Sequence, residues 1–243
     1  MRNNPARIAW LILLTCFIVF CLLALSIPLA LRWTVLHSQV DQSVLVRVTS
    51  GTVLLQSNAE SEPIALMDAR TVEPGASIKT DPRSQAALIF QATTGNDQPG
   101  PEIATVQIYP AADVQIAQAS RPRFGASSDP NLYDLRVNSG RVRIYVADVQ
   151  PNGQRFRVTT PHGQATLAPG SYAVQVDSSQ TQIVTRSGSA LVEADGRAVL
   201  VPEDTSATLS ASQGLSGPNA AAENLIANGD FQAPLGPPTW LVT

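Results

Sequence analysis

Residues 8–31 run for twenty-four positions without a charged side chain, and almost everything after them carries the marks of β-structure. As a helix rising ~1.5 Å per residue, this run reaches ~36 Å, enough to cross a hydrocarbon core of ~30 Å with some tilt. The lipid bilayer is therefore the expected partner of residues 8–31, and nearly all the remaining mass is expected on one side of it. Arg2, Arg7 and the amino terminus precede the run, while Arg32 is the first charge after it. That bias places residues 1–7 in the cytoplasm and the bulk outside the cytoplasmic membrane, as a single-pass protein. A cleaved signal peptide would have an apolar region of about 7 to 15 residues ending at a small-x-small site. Neither feature is present, so the run reads as a retained anchor. Leu14-Thr15-Cys16 faintly resembles a lipoprotein cleavage box, but the apolar run continues through it.

Cys16 and Cys21 both lie inside this run, so the tail has no thiol for a disulfide, for thiolate catalysis or for a cysteine-ligated metal. The net charge is −3, and Lys79 is the only lysine among sixteen Lys and Arg, which argues against nucleic acid as a partner. Arg32 and Arg47 stand alone in the sequence, so a basic juxtamembrane cluster for anionic lipid heads is not expected either.

From Val44 onward, short apolar or alternating runs are separated by Gly, Pro, Asn and Asp, with no long stretch at helical spacing. The spacing predicts strands at 44–49, 52–56, 86–91, 103–109, 114–117, 132–137, 141–147, 155–160, 165–167, 172–176, 181–185, 190–193 and 197–201. Turn chemistry falls between them at Ser50-Gly51, Pro74-Gly75, Gly95-Asn96, Asn138-Ser139-Gly140, Pro151-Asn152-Gly153, Pro169-Gly170, Ser187-Gly188 and Asp195-Gly196. Two longer connections, 92–102 and 119–130, are expected as loops. A weak echo, in which Ser-Gly turns at 50–51 and 139–140 each precede a later Pro-Gly turn, suits coils stacked on coils, though ordinary hairpin punctuation gives the same pattern. Residues 211–224 are Ser-, Gly-, Ala- and Asn-rich and read as a flexible linker that closes the fold.

One ordered series carries a family resemblance. It consists of Gly140-Arg141-Val142-Arg143-Ile144, then Arg155-Phe156-Arg157-Val158-Thr159-Thr160-Pro161, then Pro169-Gly170-Ser171-Tyr172-Ala173-Val174, then 181–192 with its Ser187-Gly188 turn. Together with Pro74-Gly75-Ala76-Ser77-Ile78-Lys79-Thr80-Asp81 and 86–90, the series resembles the FecR-like domain over roughly residues 43–210. The chain departs from that pattern where Pro169-Gly170 replaces glycine-threonine, where Tyr172 replaces a phenylalanine, and where Val201-Pro202-Glu203 replaces a terminal glycine turn. The resemblance implies an extracytoplasmic stacked β-domain that senses or relays. Better-known members have a cytoplasmic segment that handles a sigma factor, but residues 1–7 are too short to fold as one. Asn224-Leu225-Ile226-Ala227-Asn228-Gly229-Asp230-Phe231 and the later Trp240 resemble the opening strand of a galactose-binding-like β-sandwich, which residues 225–243 cannot complete.

Candidates for catalysis are few. His37 lies beside the membrane, and His162 sits in a Thr-Pro-His-Gly turn. Gly125-Ala126-Ser127-Ser128-Asp129 lacks the Gly-x-Ser-x-Gly elbow. Carboxylates pair closely only at Glu60 with Glu62, Glu193 with Asp195 and Glu203 with Asp204, each beside a turn signal. No catalytic residue, cofactor or metal ligand is assigned. The sharpest surface feature is four arginines: Arg141 and Arg143 alternate with Val142 and Ile144, and Arg155 and Arg157 alternate with Phe156 and Val158. Period 2 sets each pair on one strand face. If the two strands are neighbours, the four guanidinium groups form an anion-binding patch for carboxylate, sulfate or phosphate groups of a cell-surface polymer. The other reading is a solvated face neutralised by Asp134, Asp148 and Asp177.

The expected protein thus has a cytoplasmic tail at 1–7, a transmembrane helix at 8–31, a juxtamembrane segment at 32–43, an all-β domain at 44–210, a linker at 211–224 and the unfinished sandwich at 225–243. The domain is expected to be FecR-like and stacked or solenoid-like, with a β-sandwich as second choice. Two functions are expected: a non-catalytic sensing, signalling or cell-surface interaction module that meets a glycan or envelope protein, or the anchor and stalk of a carbohydrate-binding or carbohydrate-active protein.

Overall fold

A computed structural model describes residues 5–57, 62–94, 98–125, 127–148 and 153–221. Helix α1, Pro5–His37, holds the apolar run, and its stretch Leu13–His37, which contains an 18-residue window of mean hydropathy 2.6, is long and apolar enough to cross a membrane. The helix does not stop at residue 31, so much of the expected juxtamembrane segment is helical. No glycine or proline interrupts 32–37, Thr34 Oγ1 donates back to the Ala30 carbonyl at 2.8 Å, and the His37 ring stacks on Trp33 with centroids 5.2 Å apart.

The rest of the described chain is β. The first strands are β1 (Gln39–Asp41), β2 (Val44–Ser50), β3 (Val53–Gln56), β4 (Ile64–Leu66), β5 (Arg70–Val72) and β6 (Ser77–Thr80). The middle ones are β7 (Gln85–Thr94), β8 (Gln98–Ile108), β9 (Asp113–Pro122), β10 (Asn131–Val146), β11 (Gln154–Thr160) and β12 (Gly163–Leu167). The last are β13 (Gly170–Val176), β14 (Gln180–Ser187), β15 (Ser189–Ala194), β16 (Arg197–Pro202), β17 (Thr205–Ser210) and β18 (Gly214–Ala220).

Backbone pairing sorts them into two sheets. The first runs β4-β3-β6-β9-β10-β11-β12-β15-β16, with β1 beside β9. The second runs β5-β2-β7-β8-β10-β13-β14-β17-β18. The chain visits them alternately, and β10 belongs to both, so the pairings join into a barrel-like whole. Its N-terminal half lies in the first sheet and its C-terminal half, from Gly140, in the second. The next strand, β11, returns to the first sheet and pairs with β10 in parallel, completing one coil of the expected stacked architecture.

The long strand also explains why no turn forms at Asn138-Ser139-Gly140. In its first half Tyr133, Leu135 and Val137 point inward, and in its second half Val142, Ile144 and Val146 do. The inward phase therefore changes from odd to even positions. A register irregularity between Val137 and Ser139, with Gly140 at φ +89°, absorbs the slip that would otherwise turn one half inside out. A side chain at Gly140 would also sit 2.5 Å from the Ala112 Cα. Inward residues of both sheets form one continuous core, with Phe90 meeting Tyr133 and Phe156 edge-on at 5.5 Å.

Three expectations need correction. Residues 92–102 are not an open loop, because β7 reaches Thr94 and β8 starts at Gln98. Pro99 and Pro101 fit there because β10 pairs only with 104–108 of β8, so their missing N–H groups fall where that side of the ladder has no partner. Residues 211–224 are not wholly a linker, since Gly214–Ala220 forms β18 against β17. This strand has almost no apolar side chain to betray it. The segments 132–137 and 141–147 are one strand rather than two. The galactose-binding-like segment at 225–243 lies outside the described residues.

Candidate functional site

The four arginines do not meet. Arg141 and Arg143 stand on the outer face of the second sheet, where Arg143 faces Gln107 of β8 and Ala173 of β13. Arg155 and Arg157 belong to the first sheet, opposite Leu132 and Asp134 of β10. The two outer faces look away from each other across the core. Period 2 placed each pair correctly, but β11 follows β10 in sequence and pairs with its other half. Arg157 is also only half-exposed, and its Nε is buried without a partner. The single patch is thereby replaced by two separate pairs.

On the second sheet, Thr105, Gln107, Arg143, Tyr145 and Ser171 line a shallow depression of about 220 Å³. Its floor is low because Ala173 and Ser171 flank the arginine and tyrosine on β13. Tyr145 is 57% exposed, and the Arg141 guanidinium lies 5.1 Å over the Tyr109 ring. Of the carboxylates expected to neutralise these arginines, Asp134 accepts from Thr159 Oγ1 at 3.1 Å on the other sheet. Asp177 Oδ1 takes the backbone N–H groups of Ser179 and Gln180 at 2.8 and 2.9 Å. Those bonds hold its carboxyl below the usual range. Among the described residues no ion pair engages Arg141 or Arg143, whereas Lys79 pairs with Asp113 at 3.1 Å. The depression therefore presents a fixed positive charge, an exposed aromatic ring and amide and hydroxyl donors on one flat face.

A larger cleft of about 690 Å³ opens between the β11–β12 and β15–β16 turns, lined among others by His162, Gln164, Glu193, Asp195 and Arg197. Its hydrogen bonds follow one direction. Thr160 Oγ1 donates to the Gly163 carbonyl at 3.0 Å, and Thr181 Oγ1 donates to Thr160 Oγ1 at 3.1 Å. Each hydroxyl has one proton, so the His162 Nδ1 contact with Thr181 Oγ1 at 2.9 Å is a donation by the imidazole. An imidazole that gives its proton to a hydroxyl cannot activate it as a nucleophile. His162 buttresses a turn, and Gln164 Nε2 with Glu193 Oε2 at 2.7 Å clasps the neighbouring strands. No group of three His, Cys, Asp or Glu side chains among the described residues is arranged to hold a metal ion.

The third feature escaped the sequence altogether. Only Ser38 separates α1 from β1, and β1 is paired with β9. The Arg123 N–H donates to the Ser38 carbonyl at 2.8 Å, and the Ser127 hydroxyl donates to the Leu36 carbonyl. Gln42 N–H donates to the Ala119 carbonyl at 2.8 Å while its side-chain oxygen accepts from Tyr133 OH at 2.9 Å. Burial pushes the Tyr133 hydroxyl pKa upward, so it stays protonated as that donor. The helix is thus fastened to the domain by backbone as well as side chains. No sequence signal joins residues 36–42 to 119–133 at such separation.

The described chain is thus an all-β two-sheet domain pinned to an apolar helix long enough to cross a membrane. The family model described as FecR protein matches residues 76–191, inside the wider range over which the sequence resembles that family. No curated protein matches the chain. Two crystal structures provisionally described as an anti-sigma factor from Parabacteroides distasonis ATCC 8503 are similar to it. One shares 14% identity with a TM-score of 0.41, covering 63% of each chain. The other shares 13% identity with a TM-score of 0.40, covering 59% of this chain and 60% of its own. Less than two thirds of either neighbour is spanned.

Proposed function

We propose that the chain is a membrane-tethered, extracytoplasmic and non-catalytic sensing module that takes anionic cell-surface polymers on the outer face of its second sheet. The observation that carries this reading is the junction. A stalk needs only a flexible tether, whereas here the Ser38 connector and the Leu36, Ser38 and Gln42 contacts fix the helix to β9, the strand that pairs with β10. Strand β10 in turn carries Arg141, Arg143 and Tyr145. Occupation of the depression therefore acts on the same strand that abuts the helix-bearing edge. The arginine forks suit carboxylate or sulfate groups, and Tyr145 offers a stacking surface to a sugar ring. Residues 1–7 lie on the cytoplasmic side in this reading.

The test uses the full chain in phosphatidylcholine nanodiscs, passed over immobilised dextran sulfate, polygalacturonate and neutral dextran. Retention on the two anionic polymers, reduced at least fivefold by Arg141→Ala with Arg143→Ala, supports the reading. It also requires altered amide exchange at residues 38–42 when polymer binds. Equal retention of wild type and variant, or shortening of the polymer during incubation, refutes it.

A further inference from the structure

We infer that the β9 end of the domain is a lipid-headgroup foot: Arg121, Arg123 and Phe124, where β9 meets the end of α1, bind the phosphate-bearing heads of anionic lipids, with Arg32 and Trp33 on the helix below them. The inference rests on α1 being a membrane anchor and goes beyond the polymer-binding reading. Strands β1 and β9 are antiparallel, with Gln39 opposite Pro122, Val40 opposite Arg121 and Asp41 opposite Ser120. As β1 leaves the helix it climbs away from the bilayer, so β9 descends toward it. Arg121 stands level with Val40, Arg123 is bonded to Ser38, and Phe124 comes next in the chain.

The depth follows from helix rise. Arg32 is the first charge after the apolar run and marks the edge of the hydrocarbon. From there to Leu36, whose carbonyl holds Ser127, is about 6 Å, and to Ser38 about 9 Å, at ~1.5 Å per residue. A headgroup layer occupies roughly 5–8 Å on each side of the core. Ser127, bonded at Leu36, therefore lies at the level of the headgroups, and Arg123, bonded at Ser38, lies just above them, within reach for a long basic side chain that bends toward them. Arg121 is the penultimate residue of β9, and Arg123 follows at the bend just beyond the strand. Phe124 is 40% exposed with the Arg123 guanidinium 5.9 Å from its ring centre, and Trp33 is 66% exposed. Arginine beside aromatic rings is the composition suited to the membrane interface. Asp129 lies on the same loop, its backbone N–H bonded to Ser127 Oγ at 3.1 Å, and Asp41 sits farther up β1. Arg121 and Arg123 stand beside these two carboxylates, and Arg32 adds a third positive charge on the helix below them. Arg121 and Arg123 lie some ninety residues after Arg32, and only the fold brings Arg123 to the end of the helix that carries Arg32.

Full chain extracted into nanodiscs made from equal phosphatidylglycerol and phosphatidylcholine is the material for the test, and native mass spectrometry of detergent-released protein reads which lipid is retained. Phosphatidylglycerol is expected to exceed phosphatidylcholine at least threefold on wild type. That excess is expected to fall to near unity in Arg121→Gln with Arg123→Gln, and in the single exposed variant Arg123→Glu should the double variant fold poorly. Arg186→Gln, on the far second sheet, is expected to retain the preference. Equal retention of both lipids by wild type, or a preference untouched by Arg123→Glu in folded protein, overturns the inference. Recovery in the nanodisc fraction reports anchoring by α1 separately: loss of the chain from that fraction refutes the anchor, and retention without lipid preference refutes only the foot.

Discussion

Replacing Tyr172 by phenylalanine should destabilise the domain, although phenylalanine is the residue the family resemblance leads one to expect there. The ring is fully buried, so the substitution preserves packing and removes one oxygen. That oxygen lies 2.7 Å from the Ala168 carbonyl and 2.9 Å from the Ser189 carbonyl, and it accepts from the Ser189 N–H at 3.2 Å. It thereby ties the Pro169-Gly170 turn to the Ser187-Gly188 turn, joining the strand exits of both sheets. Burial raises the hydroxyl pKa, which keeps the donor protonated. A hydrogen bond is worth about 1 kcal/mol net, and a buried donor left unpaired costs about 1–3 kcal/mol, so about 2 kcal/mol is the expected loss. For a domain of this size that lowers Tm by roughly 4–8 °C. Thermal unfolding of the full chain in nanodiscs, followed by the β-sheet circular dichroism signal, measures it, with Tyr145→Phe on the open face as an unshifted control. A Tyr172→Phe shift below about 1 °C would refute the claim that the hydroxyl fastens the two turns.

Other outcomes follow from neighbouring details. Gly140→Ala should cost about 2–4 kcal/mol, because positive φ and a 2.5 Å approach to the Ala112 Cα coincide there; urea midpoints would show it, and Gly153→Ala, also at positive φ (+75°) but with open space for a Cβ, should show only the backbone part. Asp81 is held below its usual value of 3.8 by the Arg83 N–H and then by the Ser84 hydroxyl. Its lowered folded pKa means the contribution is complete above 3.8 and fades as pH falls through the folded value. Asp81→Asn should therefore weaken the acid dependence of urea midpoints between pH 2 and about 5, leaving a steep acid limb only if the carboxyl is irrelevant. Phe156→Ala, emptying the ring cluster with Phe90 and Tyr133, should cost about 3–5 kcal/mol in the same assay.

How much of this was legible depended on the physics involved. Alternation alone located twelve of the strands, because residues such as Val142, Ile144, Phe156 and Val158 face the core at period 2. Strands β1, β4 and β5 are three residues each, too short to show any period. Strand β18 reads Gly-Leu-Ser-Gly-Pro-Asn-Ala and is held by its ladder with β17 rather than by side chains. The arginine faces were legible but their neighbours were not. Period 2 says which way a side chain points, while strand pairing is a property of the whole topology, and β10 passing from sheet to sheet separated what the sequence had set close together. The foot was invisible for the same reason, since it is assembled by the β1–β9 register.

Ser38 is the whole of the slack between helix and sheet. With α1 held in a membrane, a head mounted so closely would have little room to swing away from it, and its reach would be set by its own dimensions. A ligand of the proposed sensing face would then have to come near the bilayer surface. Lengthening that one-residue neck would give the head freedom to roam at the expense of any torque its anchor could feel.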